Sequence, residues 1–132
     1  MKKYLFFFLC SLFIISCGKK VTYSDVQISF EDETFLKDGQ LYTGEIWSND
    51  GKTCCSVVED GKLKEARAFH ENGQMSTLYI LNENGERISK QHFDEDGNEI
   101  DRSEFKKRYP ELRKKIHKIQ VEEMGIPDPN KQ

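Results

Sequence analysis

Apolar side chains recur at a fixed distance before a series of Asx-Gly pairs in the central part of the chain. Six such pairs occur between Asp38 and Gly97, and their glycines are 12, 10, 12, 12 and 12 residues apart. Asn-Gly and Asp-Gly suit tight hairpin turns, because both central residues adopt positive φ at low cost. The apolar residues four positions before the glycines are Phe35, Trp47, Val57, Phe69, Leu81 and Phe93. The intervals leave about eight to ten residues for each strand and predict a repeated β-meander.

The same pattern predicts where individual strands run. An opening strand is expected at Val26 to Phe30, where apolar and polar residues alternate, and Glu31 to Phe35 either continues it or pairs with it through a bulge. The further predicted strands are Gln40 to Ser48, Lys52 to Val58, Lys62 to His70, Gln74 to Leu81, Glu86 to Phe93 and a short piece around Ile100.

Two faces can be assigned to these strands by counting back from each glycine. The residues four positions before the glycines should form one apolar ladder on a single face. The opposite face, five and seven positions back, carries Ile46, Ala66, Ala68, Leu78 and Ile80. Because apolar groups occur on both faces, neither face is expected to be fully exposed, and the C-terminal segment is expected to cover part of one.

The segment after Asp101 changes to the period of a helix. Its apolar stripe consists of Tyr109, Leu112, Ile116, Ile119 and Met124. Pro110 is expected to break or restart the helix, and Gly125 followed by Pro127 marks its end. The predicted fold is therefore mainly β, a single twisted antiparallel β-meander built from about 12-residue repeats, with a C-terminal amphipathic α-helix.

The first twenty residues predict the cellular compartment. A short basic region, Met1 to Lys3, precedes an apolar run from Tyr4 to Ile15. This run is too short to span a bilayer comfortably and fits a secretory signal. Its end, Ile14-Ile15-Ser16-Cys17, resembles the lipobox of bacterial lipoproteins. The resemblance implies cleavage before Cys17 and acylation of that cysteine, whose thiolate is the nucleophile that takes the lipid.

A lipobox implies a membrane-anchored lipoprotein of the cell envelope. Gly18 is not the aspartate associated with retention in the inner membrane, so a source with two membranes would carry the chain in the outer one. A plain secretory signal and a retained membrane helix are the alternatives. The predicted organisation is a signal peptide at 1–16, a lipidated polar tether at 17–24 that lifts the domain off the lipid, a β-repeat domain at 25–100 and a basic helix and tail at 101–132.

Charge is distributed unevenly along the chain. Residues 17–100 carry 9 Lys and Arg against 17 Asp and Glu, a net charge of −8, whereas residues 101–132 carry 9 against 6, a net charge of +3. The acidic region would repel phosphate groups of nucleic acid, so nucleic acid is not expected as a partner. The basic helix face is expected to be solvated. Contact with anionic lipid head groups and docking onto acidic repeats of the same or a neighbouring chain are the alternatives.

Two adjacent cysteines, Cys54 and Cys55, are the only thiols left after removal of the signal and acylation of Cys17. Neighbouring residues on a strand point to opposite faces, so these two cannot form a disulfide without distorting the backbone. One cysteine is therefore expected to pack inward and the other to be a partly exposed free thiol. A strained vicinal disulfide is the alternative.

Residues that usually carry catalysis or bind metals are scattered along the sequence. His70, His92 and His117 lie on different segments, without ligand partners at metal spacing. The acidic run Asp94 to Glu99 lacks the alternating ligands and distant glutamate of an EF-hand calcium loop. The sequence also contains no phosphate-binding loop, nucleophile elbow or catalytic-triad pattern. We therefore expect neither an enzyme nor a bound metal or cofactor.

The runs Gly39 to Trp47 and Phe69 to Gln74 resemble the variant MORN repeats of bacterial proteins. More closely, they resemble the repeats grouped as the YwqK-type antitoxin family, although Val57 and Leu81 stand where aromatic residues are usual. The resemblance covers about Phe35 to Ile100. It implies a scaffold of β-hairpins that contacts proteins or lipids and says little about activity.

These observations predict a lipid-anchored cell-envelope protein that acts as a non-enzymatic protein-interaction module. The chain would be attached to the membrane through Cys17, and its sheet would present Trp47, Phe69 and Tyr79 to a protein partner of unknown identity. The alternative is an immunity- or antitoxin-type inhibitor of an envelope-acting toxin, whose basic surface the acidic repeats would attract. The lipobox argues against a cytosolic antitoxin.

Overall fold

The computed structural model describes residues 19–29 and 31–126. The predicted signal sequence, the lipid attachment at Cys17, Phe30 and the tail after Ile126 lie outside the described residues. Strands dominate the regular structure and helices follow at the C-terminal end, which confirms the prediction of a mainly β chain with a C-terminal helix. The strands are β1 (Gln27–Ser29), β2 (Thr34–Lys37), β3 (Gln40–Leu41), β4 (Gly44–Trp47), β5 (Cys54–Glu59), β6 (Lys62–Phe69), β7 (Met75–Leu81), β8 (Arg87–Phe93) and β9 (Glu99–Ile100). The helices are α1 (Arg102–Arg108) and α2 (Pro110–Glu122), and a 3₁₀ helix spans Tyr23–Asp25.

The strands form two antiparallel sheets, of order β1-β2-β3 and β4-β5-β6-β7-β8-β9. Strands adjacent in the sequence are also neighbours in each sheet, as a meander requires, and β2 pairs with β1 after a turn at residues 31–33. The expected strand from Gln40 to Ser48 is divided into β3 and β4, so the chain builds two sheets instead of one. A contact with the β5–β6 turn separates β3 from β4. The Gly61 N–H donates to the Tyr42 carbonyl (2.8 Å), and the Phe35 N–H donates to the Gly61 carbonyl (2.7 Å), so the β5–β6 turn occupies the gap.

All six Asx-Gly pairs lie at turns, and each glycine has a positive φ, between 70° and 90°. Only Asp38 and Asp60 among the six preceding residues also have a positive φ, of 54° and 49°. The expectation that both turn residues adopt positive φ is therefore correct for two pairs and wrong for four. In two of these four turns an Asn or Asp side chain three positions before the glycine accepts hydrogen bonds from two backbone N–H groups, as the Asn82 Oδ1 does from Asn84 and Glu86.

The six-stranded sheet has two unlike faces. Directly paired residues share a face, so the pairing places Ile46, Ser56, Ala66 and Tyr79 in one row. We call this the helix face, because the helices pack on it. The adjacent residues Trp47, Cys55, Arg67, Leu78 and Gln91 form a row on the opposite side, which we call the open face.

Register shifts changed the expected assignment of faces. The ladder shifts by one residue between Ala68 and Phe69 and again between Ile80 and Leu81. A one-residue shift moves the following side chains to the other face. Leu78 and Ile80 therefore lie on the open face and not, as expected, with Ile46, Ala66 and Ala68. The expected single apolar ladder is also wrong, since Phe35 belongs to the smaller sheet.

The core lies on the helix face in two adjoining clusters. Buried Tyr23, Val26, Ile46 and Val58 form the first cluster, with Phe35, Tyr42 and Leu63 packed against it. Cys54, Ala68 and Ile119 form the second. Met124 packs against both clusters. The C-terminal helices thus cover part of one face, as predicted, while the smaller sheet and the 3₁₀ helix cover another part.

Two local signals separate the helices. The Asp101 carboxylate caps α1 by accepting a hydrogen bond from the Glu104 N–H (2.8 Å). Pro110 is the first residue of α2, where its missing N–H costs nothing. Pro110 therefore restarts the helix, one of the two outcomes expected from the sequence.

Candidate functional site

The open face carries two of the three residues predicted to bind a partner. Trp47 ends β4 and Phe69 ends β6, and their half-buried rings stack with centroids 5.5 Å apart and an angle of 23°. The Lys20 Nζ lies 4.0 Å from the centroid of the Trp47 ring, in a cation–π contact. Tyr79 lies on the helix face, because it pairs with Ala66. The structure therefore brings Trp47 and Phe69 together and places Tyr79 elsewhere.

Charged and apolar residues alternate beside this aromatic pair. The Arg67 guanidinium binds the Glu65 carboxylate through Nε (2.9 Å) and Nη2 (2.6 Å), and its Nη1 lies 3.6 Å from the Glu45 carboxylate. On the adjacent strand β7, half-buried Leu78 pairs with Arg67 and half-buried Ile80 pairs with Glu65. Aromatic residues, arginine and apolar groups within a charged surround are typical of protein–protein interfaces.

Both cysteines are free and buried, with exposed fractions of 3% for Cys54 and 1% for Cys55. The expectation of one partly exposed thiol is therefore wrong. Cys55 faces the open side but lies in the strand between Trp47 and Arg67, whose larger side chains cover it. Burial raises the pKa of each thiol to about 12, so both are neutral at physiological pH and poor nucleophiles.

A cavity of about 200 Å³ lies between the two helices and the sheet. On the sheet side, buried Thr77 and His92 line it, with the Thr77 Oγ1 3.3 Å from the His92 Nδ1. On the helix side, the Phe105 ring stacks on His92 with centroids 4.6 Å apart. Further lining residues include Cys54, Ser56, Ala66, Ala68, Tyr79, Ile116, His117 and Met124.

Cationic side chains surround this cavity. Arg102, Lys106 and Arg113 line it from the helices, and no aspartate or glutamate occurs among the described residues that line it. None of these three forms an ion pair with a carboxylate in the described part of the chain. Burial lowers the pKa of His92, and the charges of Arg102 and Arg113 lower it further, so this imidazole is neutral at physiological pH.

Other basic residues of the helices dock onto the acidic turns of the same chain. The Arg108 Nη1 lies 3.8 Å from the Asp94 carboxylate, and the Lys115 Nζ lies 3.5 Å from the Asp50 carboxylate. The structure therefore supports the docking alternative for these two residues. Lys107 and Lys118 are exposed on the same helices and do not line the cavity.

The histidines and the acidic run have structural partners. The His70 Nε2 lies 2.8 Å from the Phe93 carbonyl. The Asp94 Oδ1 accepts hydrogen bonds from the backbone N–H groups of Asn98 and Asp96. These bonds, the side-chain amide of Asn98 and the charge of Arg108 lower the pKa of Asp94. No group of three or more His, Cys, Asp or Glu in residues 19–29 and 31–126 is arranged to bind a metal ion. In the same ranges, none of the helices has the length and apolar character needed to cross a membrane.

No protein family model, curated protein sequence or solved structure matches this chain. The resemblance to MORN repeats accordingly stays a prediction from its motifs. The cavity was not predicted from the sequence, because its residues come from six different elements, the strands β5 to β8 and both helices. The available signal was the basic character of residues 101–132, which carry 9 Lys and Arg against 6 Asp and Glu and include a helix expected to cover the sheet.

Proposed function

We propose that this chain is a lipid-anchored protein of the cell envelope that binds a protein partner through its open face and has no catalytic activity. The observation that carries the proposal is the Trp47–Phe69 stack beside Arg67, on the face that the helices leave uncovered. Tryptophan and arginine are among the residues that contribute most to binding energy at interfaces.

The packing of the N-terminal segment supports anchoring close to this face. The Trp47 N–H donates to the Val21 carbonyl (2.8 Å), Thr22 pairs with Trp47, and the Lys20 Nζ donates to the Gly51 carbonyl (2.7 Å). The described part of the expected tether is thus docked on β4. Because an extended chain spans about 3.5 Å per residue, lipid on Cys17 would lie within about 10 Å of Lys20. Such an anchor would hold the aromatic pair close to the membrane surface.

The proposed interface can be tested by affinity capture from solubilised envelope with the full-length chain as bait. The bait Trp47→Ala/Phe69→Ala is expected to lose the partner that the wild-type chain recovers. Tyr79→Ala is the matched control, since it truncates an aromatic residue of the same sheet on the helix face. Equal recovery by the double variant, or equal loss by Tyr79→Ala, would contradict an open-face interface.

A second open-face variant guards against loss of folding in the first. Gln91 is half-buried on the open face, so Gln91→Arg adds bulk there without removing a core side chain. We expect it to reduce capture as well.

Anchoring is tested separately by Cys17→Ser, which should move the chain from the membrane fraction to the soluble fraction. Retention of Cys17→Ser in the membrane fraction would refute lipid anchoring at this residue.

A further inference from the structure

The cavity between the helices and the sheet has the electrostatics of an anion site. The chain as a whole has a net charge of −3, yet the described residues around this cavity include arginines and a lysine and no carboxylate. Arg102 and Lys106 are one helical turn apart on α1, so they share a face of that helix, and Arg113 adds a third cation from the first turn of α2. Like charges gathered around one space repel each other, and a bound anion would relieve that repulsion.

In the described part of the chain, the three helix cations that line the cavity lack the acidic partners that several other cations of the helices and the sheet have. Arg67, Arg108 and Lys115 all have a carboxylate within 4 Å. Arg102, Lys106 and Arg113 do not have one among the described residues, although their helices lie on an acidic sheet. Their guanidinium and ammonium groups consequently retain donors for a ligand.

The deeper surface of the cavity adds neutral hydrogen-bonding groups and apolar walls. The Thr77 and Tyr79 hydroxyls lie on the helix face, and His92 is held neutral between Thr77 and the Phe105 ring. Ile116 and Met124 supply apolar contact. A volume of about 200 Å³ is below the range of pockets for drug-sized ligands and suits a small molecule.

We propose that this cavity binds a small organic phosphate, with Arg102, Lys106 and Arg113 holding the phosphate group. A carboxylate has one charge and two oxygens, and a single arginine can bind both oxygens through two parallel hydrogen bonds. A phosphate monoester carries about −1.5 to −2 charges at neutral pH and three terminal acceptor oxygens, so it matches three cations around one cavity better. The organic part then contacts Phe105, Ile116 and the threonine and tyrosine hydroxyls. The phosphate monoester can belong to a soluble metabolite or to the head group of a lipid such as phosphatidic acid.

The test is calorimetric titration of the full-length chain with glycerol 3-phosphate, at about 0.15 M salt so that distant surface charges are screened. We expect saturable binding with one site per chain and no binding of glycerol, which lacks the phosphate. Arg102→Gln/Arg113→Gln is expected to weaken binding by about tenfold or more, as removal of hydrogen bonds to a charged group does. The control Lys107→Gln/Lys118→Gln removes two charges from the same helices outside the cavity and should bind as the wild type does.

Vesicles distinguish the two sources of phosphate. Vesicles of phosphatidylcholine with and without phosphatidic acid, whose head group is a phosphate monoester, are titrated with the same variants. Binding to phosphatidic acid that is lost in Arg102→Gln/Arg113→Gln and kept in the control assigns the site to a lipid head group. Equal weakening in both double variants shows only diffuse attraction by the basic helices and overturns the proposal.

A direct measurement of position keeps the proposal falsifiable if a double variant folds poorly. In the wild-type chain, the amide NMR signals of Thr77, Tyr79 and His92 are expected to shift on addition of glycerol 3-phosphate. The signal of Trp47, on the open face and in a strand that does not line the cavity, should stay in place. The single variant Lys106→Gln, at an exposed position, should also weaken binding. Absence of saturable binding by both glycerol 3-phosphate and phosphatidic acid, or shifts confined to the open face, would refute the site.

Discussion

Asp50 shows how much a single turn residue contributes. Its Oδ1 accepts hydrogen bonds from the Ser48 hydroxyl (2.6 Å) and from the backbone N–H groups of Lys52 and Thr53 (both 3.0 Å), while its Oδ2 accepts from the Thr53 hydroxyl. Lys115 adds a charge at 3.5 Å. Burial alone would raise the pKa of Asp50, but the hydrogen bonds from Ser48, Thr53 and Lys52 outweigh it and hold the pKa below the ordinary value of 3.8.

Replacement of this carboxylate should therefore destabilise the chain in a pH-dependent way. Asp50→Ala is expected to lower the free energy of unfolding at pH 7 by about 1–3 kcal/mol, because it leaves buried donors without an acceptor. A carboxylate whose pKa is lower in the folded state contributes stability above its unfolded pKa, and this contribution is lost as the pH falls below about 4. The difference between wild type and Asp50→Ala should shrink from pH 7 to pH 3 in urea unfolding.

A matched control for this effect is Glu83→Ala, which removes an exposed carboxylate from another turn. It should change the free energy of unfolding by less than about 0.5 kcal/mol at either pH, as substitutions of exposed groups usually do. A difference between wild type and Asp50→Ala that stays the same from pH 7 to pH 3 would show that the charge of Asp50 is unimportant.

At the scale of elements, α1 is attached to the sheet through one aromatic cluster. The Phe105 ring, 3% exposed, lies 4.6 Å from His92 and 5.5 Å from Tyr109, and Tyr109 lies 4.6 Å from His70. These contacts join the helix pair to the ends of β6 and β8. Removal of the Phe105 ring should therefore loosen both helices without disturbing the strands that pair only with each other.

We expect Phe105→Ala to lower the free energy of unfolding by about 3–5 kcal/mol, the usual cost of deleting a buried phenyl ring. Leu112→Ala, at a half-buried position of α2, should cost less. Hydrogen exchange should speed up in α1 and α2 before it does in β5 and β6. An unchanged exchange rate in the helices of Phe105→Ala would mean that this cluster does not hold them.

At the scale of the whole molecule, the β5–β6 turn joins the two sheets. Gly61 has a φ of 79°, donates to Tyr42 in the segment between β3 and β4, and accepts from Phe35 in β2 of the smaller sheet. A Cβ added at Gly61 would lie 2.6 Å from the Leu41 Cδ2 and 3.2 Å from the Phe35 carbonyl oxygen. A side chain at Gly61 would therefore require Leu41 to change its side-chain conformation and the Phe35 carbonyl to move slightly.

Comparison of two glycines isolates this contact. Gly73→Ala places a side chain at a φ of 90° with no atom within 4 Å, so it should cost only the backbone strain of about 1–3 kcal/mol. Gly61→Ala carries a similar strain and adds the clash with Leu41 and Phe35, so its loss of unfolding free energy should be larger. Equal losses in urea unfolding would show that the junction relaxes at no cost.

The sequence by itself determined the features that depend on a few neighbouring residues. The Asx-Gly turns, the mainly β character and the restart of the helix at Pro110 follow from local φ preferences and from hydrophobic period, so all were predictable. The number and spacing of strands after Gly51 followed in the same way.

Only the tertiary structure decided which side chains share a face and which are covered. One-residue register shifts placed Leu78 and Tyr79 on faces that a strict count does not predict, because a bulge reverses the alternation without any mark in the hydrophobic pattern. Burial of Cys55 depends on Trp47 and Arg67 from the adjacent strands. The cation-lined cavity exists because α1 and α2 lie across β5 to β8, and contacts between elements so distant in sequence have no local signal.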